Sequence, residues 1–152
     1  MTYKYLGQED METYFNEHEE EVKLDYLCWN TIFSGKGQNH FFCAFDKERL
    51  VGVLKLRTGQ ETRYFPGVYT ALNFVSVNSE YKGQSIATKL FKMVAEYADK
   101  EEIKLIGMTD YDPEGKASIP KILRKLNSKV SFLERKETLA EHEEQLKKFG
   151  LR

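Results

Sequence analysis

The chain has 152 residues, of which 41% are hydrophobic and 31% charged, and a net charge of -1. These values fit one globular domain, 1–152, with one core; they exclude a disordered tail and any global field that would recruit nucleic acid or an anionic membrane. No stretch approaches the roughly 20 apolar residues of a membrane span.

The amino-terminal segment Tyr3-Lys4-Tyr5-Leu6 alternates as a strand does. It carries no long apolar region of the secretory kind, so the expected location is the cytoplasm. Met11, Tyr14, Phe15, His18 and Val22 recur at spacings of three and four and predict a helix. Asp25 to Phe33 predicts a second, irregular helix that offers Leu27, Trp29 and Phe33 for burial. Then the period changes. His40 to Phe45 and Leu50 to Leu56 read as two strands joined across the polar Asp46-Lys47-Glu48-Arg49, a hairpin. Cys43 lies in an apolar run and reads as a small buried hydrophobe. With Cys28 it forms neither a CxxC pair nor a metal-binding spacing, and no metal is expected.

Gly59 to Gly67 is a polar loop, and Val68 to Val77 predicts a long strand rich in β-branched and aromatic residues. The strongest helical pattern follows: Ile86, Ala87, Leu90, Phe91, Val94, Tyr97 and Ala98 form a broad apolar stripe. Ile103 to Met108 predicts a short buried strand. Asp112-Pro113-Glu114-Gly115 predicts a turn, with a helix capped by Ser118 after it. Val130 to Leu133 predicts a last strand. Thr138 and Glu141 have capping-box spacing before a terminal helix that ends near Gly150. The predicted fold class is α/β, with a mixed, largely antiparallel central sheet flanked by helices.

The turn Tyr81-Lys82-Gly83-Gln84-Ser85-Ile86-Ala87 carries the most chemistry. A strand that ends near Asn78 runs through a short polar loop into a strong helix. Unpaired amides at a helix start, together with the helix dipole, suit a phosphate or pyrophosphate. Gly83 lets backbone approach a ligand, and Lys82 adds charge. Neither G-x-x-x-x-G-K-[ST] nor G-x-G-x-x-G is present.

This segment resembles the GNAT family of acetyltransferases, whose signature [QR]-x-x-G-x-[GA] follows a strand ending in V-x-P. Here the chain reads Val77-Asn78-Ser79-Glu80-Tyr81-Lys82-Gly83-Gln84-Ser85-Ile86-Ala87. Ser79 replaces the usual Pro, Lys82 stands at the Gln/Arg position, and Ser85 stands at the central Gly. The resemblance spans roughly residues 40 to 110 and continues to both ends by element order. It implies acetyl-CoA as cosubstrate and an amine, on a small molecule or protein, as acceptor. Backbone groups of Phe74, Val75 and Val77 would hold the acetyl carbonyl and the pantetheine arm, inserted where the fourth and fifth strands part. The segment Lys82, Gly83, Gln84, Ser85, Ile86, Ala87 and Thr88 would hold the pyrophosphate. It also leaves room for a homodimer.

Family members commonly place a Tyr acid beyond the fifth strand, and here the nearest is Tyr111. The fourth strand has no carboxylate to serve as base. Asn73 is the candidate for orienting a water, with Glu61, Asp110 and Asp112 as candidates acting through solvent. Ser85 and the absent carboxylate keep open a non-catalytic acyl-CoA-binding module as the alternative. The acidic run Glu17-His18-Glu19-Glu20-Glu21 reads as a solvated face that is also able to attract a cationic amine.

Overall fold

The computed structural model describes residues 1–22, 24, 32–108 and 113–151, the side chains of 113–117 excepted. In chain order the elements are β1 (Thr2–Gly7), α1 (Gln8–His18), a 3-10 turn (Glu19–Glu21), β2 (Gln38–Asp46), β3 (Arg49–Thr58), β4 (Thr70–Val77), a second 3-10 turn (Ser79–Tyr81), α2 (Ile86–Lys100), β5 (Leu105–Met108), α3 (Pro113–Lys125), β6 (Ser131–Glu134) and α4 (Leu139–Lys148). One six-stranded sheet runs β1-β2-β3-β4-β5-β6. The first four strands are antiparallel, and β4, β5 and β6 are parallel.

The central strands read as continuous apolar runs because both of their faces are buried. In β2, Phe42 and Ala44 enter one core, while Phe41, Cys43 and Phe45 enter the other. The first core lies under α2, whose Ile86, Leu90, Phe91, Val94, Ala95 and Ala98 form its buried stripe, and under Ile119 of α3. Each such large apolar side chain contributes about 1.5–3 kcal/mol by leaving water.

The opposite face is divided. Met11 and Phe15 of α1, with Ile32, cover the β1–β3 end. Phe65, Val68 and Leu146 of α4 cover Leu133 at the β5–β6 end. β4 runs between these two clusters.

Two glycines bring the layers together. A Cβ on Gly52 would lie 2.9 Å from Ile86 Cγ2, so the absent side chain lets the start of α2 settle on the sheet. A Cβ on Gly107 would lie 2.8 Å from Phe65, which seats the 59–69 loop over β5. That loop is closed by Thr62 N donating to Val68 O at 2.8 Å and Gly67 N donating to Glu61 Oε1 at 2.6 Å.

The predicted element order holds over the described residues, with shifted boundaries: the first helix ends at His18 and leaves Val22 extended, and the fifth strand begins at Leu105 rather than Ile103. The fourth strand begins at Thr70 rather than Val68, because Val68 N bonds back to Phe65 O and its side chain anchors the loop core. The fourth helix of the sequence reading begins at Pro113 rather than Ser118, so Pro113 to Gly115 belong to the helix and not to the expected turn, and Asp112 lies outside the described residues. Proline suits the first helical position, where its missing N–H has no partner to lose, and Pro120 then falls inside the helix. The expected cap is present: Thr138 Oγ1 accepts from Glu141 N at 3.2 Å. The helix expected over Asp25 to Phe33 lies outside the described residues except for Ile32 and Phe33, which are helical.

Gly52→Val adds a branched side chain where 2.9 Å is available. We expect a loss of about 1–3 kcal/mol, read as a lower urea midpoint; an unchanged midpoint would show that α2 does not need this close approach.

Candidate functional site

β4 is hydrogen-bonded unequally along its two edges. On the β3 side, pairing extends from Thr70 to Val77. On the β5 side it is confined to Ala71 opposite Gly107 and Leu72 opposite Met108. From Asn73 to Val77, alternate residues therefore aim backbone N–H and C=O groups away from β3 with no strand of the described residues to receive them. Phe74, Val75 and Val77, the expected pantetheine contacts, are all half-buried in this stretch. The change begins at a bulge. Lys55 faces Phe74 and Leu56 faces Leu72, so Asn73 is an extra residue with no partner across the ladder.

The strand then turns into the loop. Asn78 N donates to Val51 O at 2.8 Å, and Asn78 Oδ1 accepts from Glu80 N at 2.8 Å, which sets the first 3-10 bond. Tyr81 OH donates to Asp46 Oδ2 at 2.6 Å and ties the loop to the β2–β3 hairpin. The hydrogen bond to Asp46 raises the Tyr81 pKa, so the phenol stays a donor. Lys82 is extended, Gly83 has φ +82° and Ser85 has φ +58°. The first bond of α2 runs from Lys89 N to Ser85 O at 3.1 Å, which leaves the amides of Ser85 to Thr88 without helical acceptors. No acidic side chain occupies the first turn of α2, and Lys82, Gly83, Gln84 and Ser85 are exposed. The loop thus presents donors and the positive end of a helix dipole to solvent.

Ser85 sits in the left-handed region at the position where the resembled signature has Gly. For a residue with a Cβ this conformation costs about 1–2 kcal/mol. Its hydroxyl makes no capping bond to the helix. The glycine of the signature therefore answers a backbone requirement that this chain meets under strain.

Of the residues singled out from sequence, the structure joins Phe74, Val75 and Val77 to the loop of Lys82 to Thr88 through one strand-turn-helix unit. Asn73 lies at its base, with its Oδ1 buried and unpartnered. Glu61 is engaged in its own loop. Tyr111, Asp110 and Asp112 lie outside the described residues, as do Tyr26, Cys28 and Trp29. Of the amino-terminal acidic run, Glu21 pairs with His18 at 3.2 Å. No helix among the described residues is long and apolar enough to cross a membrane.

The sequence reading missed two cations. Lys55, 1% exposed, donates from Nζ to Ser34 O at 2.7 Å. Burial first, and then the neighbouring Arg57, lower its pKa from 10.5 to about 8. Both cations belong to β3, on the face that α1 and Ile32 cover. The available signal was a lysine inside the otherwise apolar run Leu50 to Leu56.

Two measurements test these assignments. Ser85→Gly should raise stability by up to about 1 kcal/mol, because glycine adopts positive φ without strain; an unchanged or lower midpoint would contradict the strain. Between pH of about 8 and 10.5 the unfolded chain keeps the Lys55 proton that the folded chain has released, so stability rises with pH across that window. Urea midpoints of wild type and Lys55→Met should diverge there in favour of wild type, by about 1–3 kcal/mol; parallel profiles would refute the lowered pKa.

Comparison with known proteins agrees with this architecture. The acetyltransferase (GNAT) family model matches residues 3–120. No curated protein matches the sequence. Among solved structures, an aminoglycoside acetyltransferase from an uncultured soil metagenomic sample, in complex with sisomicin, superposes with a TM-score of 0.54 at 13% identity, over 91% of this chain and 95% of that one. The ribosomal-protein-alanine N-acetyltransferase of Brucella melitensis biovar Abortus 2308 gives 0.53 at 12% identity, over 86% and 96%. The aminoglycoside N-acetyltransferase AAC(6')-Iy, in complex with CoA, gives 0.53 at 12% identity, over 90% and 95%. At these identities the structures speak for the fold, and the family match covers most of the chain: it belongs to the GNAT acetyltransferase family.

Proposed function

We propose that the protein is an acetyl-CoA-dependent N-acetyltransferase acting on a primary amine. The observation that carries this reading is the unit formed by β4, the 78–85 turn and α2. It offers a strand edge left open from Asn73 onward and, directly after it, the exposed amides of a helix start. Family membership supplies the ligand that matches both parts. The pantetheine arm would lie along Phe74, Val75 and Val77, and the pyrophosphate on Lys82 to Thr88.

In the proposed reaction the amine nitrogen attacks the thioester carbon, and a backbone N–H near Val75 stabilises the oxyanion. The C–S bond then breaks to give the N-acetyl amine and CoA. A protonated amine has no lone pair, and its pKa in water is near that of lysine, about 10.4; its proton must leave before attack. Asn73 Oδ1, buried and unpartnered at the bulge, suits accepting an N–H from the amine or an O–H from a water that carries the proton away. A carboxamide neither gains nor loses a proton near neutral pH, so Asn73 is assigned to positioning. Tyr111 is the proposed acid that returns a proton to the departing thiolate.

The lack of any carboxylate on β4 favours one second reading, an acyl-CoA-binding module without turnover. Release of free thiol from acetyl-CoA in the presence of any amine separates the two.

Acetyl-CoA should raise the melting temperature of the wild type. Gly83→Phe should abolish the shift, because it places a bulky side chain at φ +82° in the exposed loop. Saturating acetyl-CoA without a shift would refute cofactor binding, and a shift that persists in Gly83→Phe would move the pyrophosphate elsewhere.

A further inference from the structure

Among the described residues, the buried side-chain atoms that lack a hydrogen-bond partner are Asn39 Oδ1, Arg57 Nε, Asn73 Oδ1 and His142 Nδ1. Buried polar atoms are almost always paired, so several orphans in one place require an account. Three of these four belong to one patch. Asn39 on β2 faces Arg57 on β3, and Arg57 faces Ala71 on β4. Residues opposite one another in a ladder share a face, so Asn39, Arg57 and Ala71 form a row across the sheet. At the bulge Asn73 and Phe74 together oppose Lys55, which puts Asn73 on the same face. Phe74, opposite Lys55, is on it by register.

This is the divided face, and the row lies where its two clusters leave β4 between them. Ala71 is the small member of the row, and the space over its β5 neighbour Gly107 is taken by Phe65. Gly35 lets the Arg57 side chain pack close, since a Cβ there would come within 3.0 Å of the guanidinium.

A bound water can satisfy Nε and Oδ1, but it cannot neutralise charge. No carboxylate among the described residues pairs with Arg57. Arg57 stands two residues from Lys55 on the same strand face, and the two cations repel each other enough to shift the lysine. A positive centre of this kind, partly desolvated and one strand away from the open edge of β4, favours a ligand with negative charge. The separation is short. Adjacent strands lie about 4.8 Å apart, and successive same-face residues about 6.7 Å. The Arg57 backbone is therefore within about 5–10 Å of the backbone at Asn73 and Phe74.

We propose that the acceptor is a primary amine bearing an oxyanion, a carboxylate or a phosphate, and that Arg57 is its contact. This rests on the acetyltransferase reading of β4 and the turn that follows it. The guanidinium fork takes two oxygens of the anion. Lys55, buried two residues along the strand opposite Phe74 and fixed to Ser34 O, supplies field rather than contact. Asn39 and Asn73 offer acceptors to N–H groups on either side. A polycationic acceptor would meet repulsion here.

The test is a set of matched acceptors: β-alanine against β-alaninamide for a carboxylate, O-phosphoethanolamine against ethanolamine for a phosphate, and kanamycin as polycation. Thiol release from acetyl-CoA gives kcat/KM for each, and calorimetry with CoA present gives the affinity of N-acetyl-β-alanine against its amide. The anionic member of at least one pair should be favoured by roughly tenfold or more, the worth of one charged hydrogen bond. Arg57→Gln should remove that preference through KM with kcat largely kept, and Arg57→Lys should retain part of it. An unchanged acetyl-CoA melting shift in both variants shows that they are folded. The proposal is overturned if the pairs are equal, if kanamycin is preferred, if Arg57→Gln keeps the preference, or if no anionic compound is turned over or bound. In each of those cases an intact acetyl-CoA melting shift leaves cofactor binding standing, whereas loss of the wild-type shift strikes the acetyltransferase reading itself.

Discussion

The rest of the structure depends on β4 having a full partner on one side and only a brief one on the other. Its ladder with β3 fixes the strand in place over its whole length, and its ladder with β5 stops after Leu72. An unpaired edge inside a sheet is a liability that proteins normally cover, since its N–H and C=O groups invite another strand. Here that edge is next to a helix start whose first amides, Ser85 to Thr88, have no helical acceptors. An extended, amide-bearing arm that ends in a pyrophosphate would satisfy both at once, much as an added strand satisfies a sheet edge. The bulge at Asn73 belongs to the same arrangement, because it changes the direction of the strand where the second ladder is lost.

The two faces of the sheet divide the work between stability and chemistry. One is closed by the apolar stripe of α2 and by α3, and Gly52 brings α2 close enough for its first turn to meet the end of β4. The other is covered in two pieces, by α1 with Ile32 and by α4 with the Phe65 loop. Polar atoms without partners collect on this second face, where no helix of the described residues crosses β4. Small residues there accept close neighbours: Phe65 packs on Gly107 and the Arg57 side chain on Gly35.

Much of this was visible in the sequence, for local reasons. Two-sided burial makes β2 and β3 continuous apolar runs, and the 3.6-residue stripe from Ile86 to Ala98 marks α2 without ambiguity. The loop between β4 and α2 could be placed because strand and helix patterns bracket it closely. What escaped depended on distant partners. Nothing in Leu72-Asn73-Phe74 announces an extra residue, since a bulge is defined only against the opposite strand. Lys55 and Arg57 follow the alternation of a strand end that reaches solvent, and their burial comes from the segment around Ser34 and Gly35, some twenty residues earlier. The start of α3 was misplaced because Ser118 carries a capping signal that Pro113, seated at the first helical position, makes unnecessary. Tyr111, taken from family resemblance, falls where the structure describes nothing.

The bond from Tyr81 to Asp46 has a consequence for anyone who wishes to cut, tag or graft this protein. Judged by exposure alone, the two-residue turn Lys47-Glu48 is the sort of surface tip where extra sequence is usually tolerated. Yet Asp46 at its near side holds the hydroxyl of Tyr81, and Glu48 O accepts from Tyr14 OH of α1 at 2.7 Å. The same Tyr14 oxygen accepts from Leu50 N at 3.0 Å on the far side. The turn is thus a fixed joint between the first helix and the proposed cofactor loop, and a passenger domain inserted there would be felt at both.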